Sequence, residues 1–135
     1  MIIKKEYHFY AAHRNRAAGA KCGRIHGHTY RVSCFFRFAE IGPGGVCFLF
    51  SDIDALVEPL IKSYCHWFLL WEKDPLVDIL TNSVEDFKVV PFETSAENLC
   101  IWLYDQIVET TGLPLFKIEL AETQTSTVIY EPKSI

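Results

Sequence analysis

Several features common in other protein classes are missing from this sequence. No apolar run approaches the roughly 20 residues that a membrane-spanning helix needs, so no bilayer span is expected. The opening Met1-Ile2-Ile3-Lys4-Lys5-Glu6 lacks a secretory-signal layout, because its charges follow its only apolar residues. The five cysteines are an odd number, scattered at positions 22, 34, 47, 65 and 100 without Cys-x-x-Cys spacing. That pattern argues against a disulfide frame and for reduced thiols in a cytoplasm. Internal repeats, low-complexity stretches and linkers are also absent, so residues 1–135 read as a single domain.

Negative charge is missing from one region. Between Tyr7 and Ala39 there is no Asp or Glu, while Arg14, Arg16, Lys21, Arg24, Arg31 and Arg37 all fall there. The net charge of −4 argues against indiscriminate nucleic-acid binding. A local positive field could serve an anionic small molecule, such as one carrying phosphates, or could be a solvated basic loop balanced by acidic helices elsewhere.

What is present is a globular composition, with 50% hydrophobic and 22% charged residues. Residues 2–12 alternate and carry Tyr7, Phe9 and Tyr10, which predicts a strand. Residues 13–25 read as a loop, and His26 to Phe38 as a long second strand. Ile41-Gly42-Pro43-Gly44-Gly45 breaks the chain, after which Val46 to Phe50 is expected to be extended. Ser51-Asp52 predicts a helix N-cap, followed by Ile53, Leu56, Val57, Leu60 and Ile61 at helical spacing. Tyr64 to Leu70 is read as the end of that helix, and Asp74-Pro75 as the start of a short helical piece. Phe87–Val90 is expected to be extended. Thr94-Ser95-Ala96-Glu97 fits a capping box with Glu97 at the third helical position, opening a helix that runs to about Thr110. Phe116–Glu122 and Thr127–Tyr130 are the last strands. Two main helices set mid-chain against an antiparallel sheet define an α+β class.

The chemistry-bearing residues concentrate between Phe9 and Tyr30. On an extended strand, side chains two apart share a face, so His26 and His28 point the same way across Gly27. His13, at the end of the preceding strand, could complete a three-nitrogen face. Zinc held by three protein ligands with an open fourth position is the usual catalytic arrangement. His8 lacks a same-face partner. Cys22 lies four residues before His26 beside Lys21 and Arg24, where positive neighbours favour thiolate. It could act as a base or nucleophile, or close a structural Cys-His₃ site. Cys34 and Cys47 read as small core residues. Glu122 could accept two parallel N–H bonds from a guanidine-like ring edge, or be an ordinary solvated glutamate.

Phe9-x-Ala11-Ala12-His13, Cys22-x-x-x-His26-Gly27-His28, Ser95-Ala96-Glu97-Asn98-Leu99 and Ala121-Glu122-Thr123 occur in that order across nearly the whole chain. Together they resemble the 6-pyruvoyl-tetrahydropterin synthase / 6-carboxytetrahydropterin synthase family. The three-residue gap between Cys22 and His26 is similar to the carboxytetrahydropterin branch of queuosine biosynthesis. The resemblance implies a tunnelling fold: a four-stranded antiparallel sheet with two helices on one face, in the order β-β-α-α-β-β. Homo-oligomers joined edge to edge, usually hexamers of two trimers, go with that fold. The resemblance also implies zinc on His13, His26 and His28, and 7,8-dihydroneopterin triphosphate as substrate. Cys22 would be the base and His66 its acid/base partner. Glu122 would anchor the pterin ring, with Ser95 and Glu97 lining the pocket. Separately from the resemblance, Arg14, Arg16, Lys21 and Arg24 are candidates for triphosphate contact.

One departure stands out. Where the family has Asp-His, this chain has Cys65-His66. A carboxylate there would orient the imidazole and stabilise its charged form, which a neutral thiol does poorly. Another carboxylate could substitute, Cys65 could ionise, or turnover could be slow or altered. The expected activity is a zinc-dependent lyase making 6-carboxy-5,6,7,8-tetrahydropterin. The alternatives are 6-pyruvoyl-tetrahydropterin formation or a weakly active zinc- and pterin-binding relative.

Overall fold

The computed structural model describes residues 1–133. Its elements are β1 (Ile2–His13), β2 (His26–Arg37), α1 (Phe50–Lys62), β3 (Trp67–Trp71), α2 (Leu76–Thr81), β4 (Lys88–Val90), α3 (Ala96–Thr111), β5 (Leu115–Ala121) and β6 (Thr127–Tyr130). The class is α+β, with one sheet in the order β4-β3-β1-β2-β5-β6.

Alternation builds the centre of the sheet. In β1, Tyr7, Phe9, Ala11 and His13 are buried while His8 and Tyr10 are exposed. The β2 side chains Tyr30, Val32, Cys34 and Phe36 bury on the same face, where Phe9 stacks on Tyr30 with ring centroids 4.8 Å apart. Helix α1 covers that face through Ile53, Val57 and Ile61, one turn apart. Helix α3 adds Leu99, Cys100, Leu103 and Ile107 over β5. Trp102 of α3 donates its Nε1 hydrogen to the hydroxyl of Tyr64, two residues past the end of α1, at 2.7 Å. Gly112 ends α3 in the left-handed conformation at φ 67°, which glycine adopts without a Cβ penalty.

The structure corrects several expectations. The sheet has six strands rather than four, because β3 and β4 add on beyond β1 in parallel pairings. Residues Trp67 to Trp71 are therefore a strand, not the end of a helix. Both Leu69 and Leu70 are buried, and a strand covered on both faces has no alternation to read. Val46 to Phe50 is not a strand: α1 already starts at Phe50, with Leu49 rather than Ser51 in the cap position and no side-chain cap. At α3 the cap is Ser95, whose side chain accepts from the Asn98 amide at 3.2 Å, so Glu97 sits at the second helical position.

Ile118 is fully buried at the centre of β5 under α3, whereas Val89 on the β4 edge is exposed. Ile118→Ala is expected to lower unfolding free energy by about 2–5 kcal/mol. Val89→Ala should change it by less than about 0.5 kcal/mol in the same urea titration.

Candidate metal centre

The antiparallel register sets His13 directly opposite His26 and Ala11 opposite His28. All three imidazoles therefore emerge on the helix-covered face, at the strand ends beside the start of α3. Ring centroids lie 4.7 Å apart for His13–His26, 5.2 Å for His13–His28 and 4.8 Å for His26–His28.

Backbone carbonyls select the tautomers. His13 Nδ1 donates to the Thr94 carbonyl, and His26 Nδ1 to the Arg24 carbonyl at 2.6 Å. In a neutral ring that leaves Nε2 with its lone pair, the form in which imidazole binds a metal. His13 Nε2 and His28 Nε2 are buried and lack hydrogen-bond partners among the described residues. Burial holds both rings neutral. It lowers the His13 pKa to about 4, reinforced by neighbouring His26 and His28 and opposed by the Thr94 bond. His28 is also lowered, by burial first and His26 second, against the pull of Glu122.

Glu122, one residue past β5, brings Oε1 to 2.8 Å from His28 Nε2 and 3.9 Å from His13 Nε2. The shorter contact lies off the direction of an N–H bond, so His28 Nε2 still counts as unpartnered. One ligand atom from each of His13, His26, His28 and Glu122 lies within 4.8 Å of the other three. Buried, unpartnered imidazole nitrogens gathered with a carboxylate are a donor set that could hold a divalent metal.

Thr94 ties this centre to the fold. Besides accepting from His13, it donates its hydroxyl to the Arg14 carbonyl at 3.0 Å, immediately before the Ser95 cap of α3. Arg14 in turn grips buried Asp74, with Nε 2.9 Å from Oδ2. That hydrogen bond holds the Asp74 carboxyl below its usual range despite burial. Arg14 is thereby committed to Asp74, a correction to its candidacy for phosphate contact. Arg24 stays exposed.

A small cavity beside the histidines is lined by Asn15, Cys22, Ser95, Glu97 and Glu122. The structure thus brings together Cys22, Ser95, Glu97, Glu122 and the three histidines. It does not bring His66 to Cys22 within one chain. His66 packs its ring against Tyr10, centroids 5.7 Å apart, and Tyr10 points to the opposite face from His13. In the sequence Thr94 stands out only as part of a capping box and Asp74 only as a helix start, and Asn15 carries no signal at all. Nothing local links Arg14 to an aspartate 60 residues away.

Comparison with known proteins follows the same lines. The sequence profile of the 6-pyruvoyl tetrahydropterin synthase family matches residues 2–133. A 6-carboxy-5,6,7,8-tetrahydropterin synthase from Synechocystis is 30% identical over 135 residues, covering 96% of this chain and 92% of the relative. One of the same name from Haemophilus influenzae is 25% identical, covering 96% and 97%. Among solved structures, an uncharacterised protein from Wolinella succinogenes superposes with a TM-score of 0.82 at 18% identity, covering 98% of both chains. The 6-pyruvoyl tetrahydropterin synthase of Caenorhabditis elegans gives 0.74 at 20% identity, covering 98% and 96%. The fold is therefore the tunnelling fold of these synthases.

His13 has a folded-state pKa of about 4 against an ordinary 6.5. The unfolded chain takes up this proton first, so stability present above pH 6.5 drains away as pH falls towards 4. For metal-free protein, urea unfolding at pH 7 and pH 4.5 should differ by roughly 2–3 kcal/mol from this group. His13→Gln should show a drop smaller by that amount; equal drops would clear His13 as the cause.

Proposed function

This chain belongs to the 6-pyruvoyl tetrahydropterin synthase family, and from that premise we propose that it is a zinc-dependent lyase. Its proposed reaction converts 7,8-dihydroneopterin triphosphate to 6-carboxy-5,6,7,8-tetrahydropterin, in the cytoplasm, as a step towards queuosine. The observation carrying this reading is the convergence of His13, His26 and His28 beside Cys22 and Glu122. The names of the relatives at 30% and 25% identity support the carboxy product.

His13, His26 and His28 would hold the zinc through Nε2. Bound there, zinc supplies Lewis acidity that acidifies C–H and O–H groups of the substrate side chain. Cys22 opens onto the same cavity and is exposed, which suits a base that must reach a substrate proton. The Glu122 carboxylate can take the guanidine-like edge of a pterin through two parallel N–H bonds, fixing the ring. Ser95 and Glu97, at the start of α3, wall the cavity. With Arg14 bound to Asp74, the triphosphate falls to Arg16, Lys21 and Arg24. Loss of triphosphate followed by release of acetaldehyde completes the carboxy product.

His66 lies across the sheet from Cys22, so the two can cooperate only between subunits. That requirement supports a homo-oligomer, with a hexamer of two trimers as its expected form. A second reading, altered or weak turnover, is favoured by Cys65. Its sulfur accepts the Tyr10 amide at 3.4 Å and gives His66 no carboxylate.

Incubating zinc-loaded protein with 7,8-dihydroneopterin triphosphate and weighing the products decides the reaction. The carboxytetrahydropterin with equimolar acetaldehyde is expected; a pyruvoyl product without acetaldehyde, or no consumption, overturns it. Cys22→Ala should keep its zinc and lose about 10²–10⁴ in turnover. Co-refolded equal amounts of Cys22→Ala and His66→Ala should regain about a quarter of native activity if sites are shared between subunits. No recovery would mean that His66 does not serve Cys22 of another copy.

A further inference from the structure

Glu122 is held in place by its own backbone. Its amide donates to the Ser126 carbonyl at 3.1 Å, closing the turn between β5 and β6, and the preceding Ala121 pairs with Arg31. From there the carboxylate reaches back over the histidines rather than out to solvent. Its Oε1 faces His28 Nε2 at 2.8 Å without an aligned N–H between them, and His13 Nε2 at 3.9 Å. His13 carries its proton on Nδ1, where Thr94 accepts it, so Nε2 meets the carboxylate lone pair to lone pair. Acceptors crowded in this way repel one another unless positive charge lies among them. Zinc takes carboxylate oxygen at about 2.0–2.2 Å and imidazole nitrogen at about 2.0–2.1 Å, so four such atoms must gather closely. The four already lie within 4.8 Å.

We propose that Glu122 occupies the fourth position of the metal in the resting protein and gives it up when a pterin ring arrives. This rests on the zinc and pterin reading above and adds a second role for the residue expected to anchor the ring. The two roles exclude one another. A guanidine-like edge requires both carboxylate oxygens in its own plane, whereas a metal draws one of them onto the histidine face. The carboxylate therefore answers to two partners in turn. With no pterin present the metal has four protein ligands and no vacant place for adventitious ligands. Ring binding recruits the carboxylate and uncovers the position next to the substrate side chain, so the vacancy appears only when there is something to fill it. A site closed by a residue that substrate itself removes needs no separate lid.

Cobalt(II) in place of zinc makes the ligand set visible through its absorption bands. Glu122→Gln should weaken cobalt binding by about tenfold or more in competition with a chelator, and shift the visible bands. Adding 7,8-dihydroneopterin to wild-type protein should shift its bands too, while leaving those of Glu122→Gln nearly unmoved. Equal affinity and identical bands in the two proteins would overturn the proposal. Retained cobalt binding by Glu122→Gln alongside complete loss in His28→Ala would sink the carboxylate role alone. Absence of cobalt binding by the wild type would sink the histidine centre and the proposed reaction with it. If Glu122→Gln does not fold, a crystal structure of zinc-loaded wild-type protein decides. A Glu122 oxygen about 2.0–2.2 Å from the metal is expected, and one beyond about 3 Å overturns the proposal.

Discussion

A slip of one residue between β1 and β2 would turn His26 and His28 to the face that carries Tyr10, leaving His13 alone on the other. The native register prevents this through pairing that runs unbroken from Ile2↔Arg37 to His13↔His26. The register is in turn enforced by burial, because the same alternation that aims the imidazoles also sends Phe9, Tyr30, Val32 and Phe36 under the helices. Losing it would expose a row of large apolar side chains at about 1.5–3 kcal/mol each. The histidine face is thus held by the hydrophobic core along the same two strands.

Strand register alone would leave the rings free to rotate. Their orientation comes from the backbone of other segments: Thr94 for His13 and Arg24 for His26. Thr94 also grips the Arg14 carbonyl, and Arg14 grips Asp74, so the residues after β1, the loop before α2 and the cap of α3 form one polar clamp. Buried charge is tolerable here because Asp74 is paired on both oxygens and also accepts the Leu76 amide. The burial that favours neutral rings at His13 and His28 also leaves their Nε2 atoms without a hydrogen-bond partner among the described residues. A centre built this way is poised for a cation before any arrives.

Much of this was legible in the sequence because it obeys short periods. Weak alternation marked β1, aromatic and β-branched residues marked β2, His-x-His marked a shared face, and the capping box at Thr94-Ser95-Ala96-Glu97 announced α3. What escaped was written at longer range or without period. The run Trp67-Phe68-Leu69-Leu70-Trp71 is apolar at every position, and the adjacent Leu69 and Leu70, which point to opposite faces, are both buried. No periodic test separates such a run from a buried helix segment. The Arg14–Asp74 pair spans 60 residues and depends on β3 docking beside β1, which was itself unseen. The face on which His66 lies followed from the same strand, so reading Tyr64 to Leu70 as helix also hid its separation from Cys22.

That separation bears on Cys65. The chain leaving α1 must turn sharply to lay β3 parallel to β1, and His66 makes the turn with φ 67°, a left-handed conformation uncommon for any residue but glycine. Two contacts hold it there: the His66 amide donates to the Tyr10 carbonyl at 2.6 Å, and the Tyr10 amide donates to Cys65 Sγ at 3.4 Å. Position 65 therefore serves as a backbone acceptor at the point where β3 joins the sheet. A carboxylate in the same place would accept that amide more strongly than sulfur does. The thiol of Cys65 thus holds the junction before β3 less tightly than a carboxylate would.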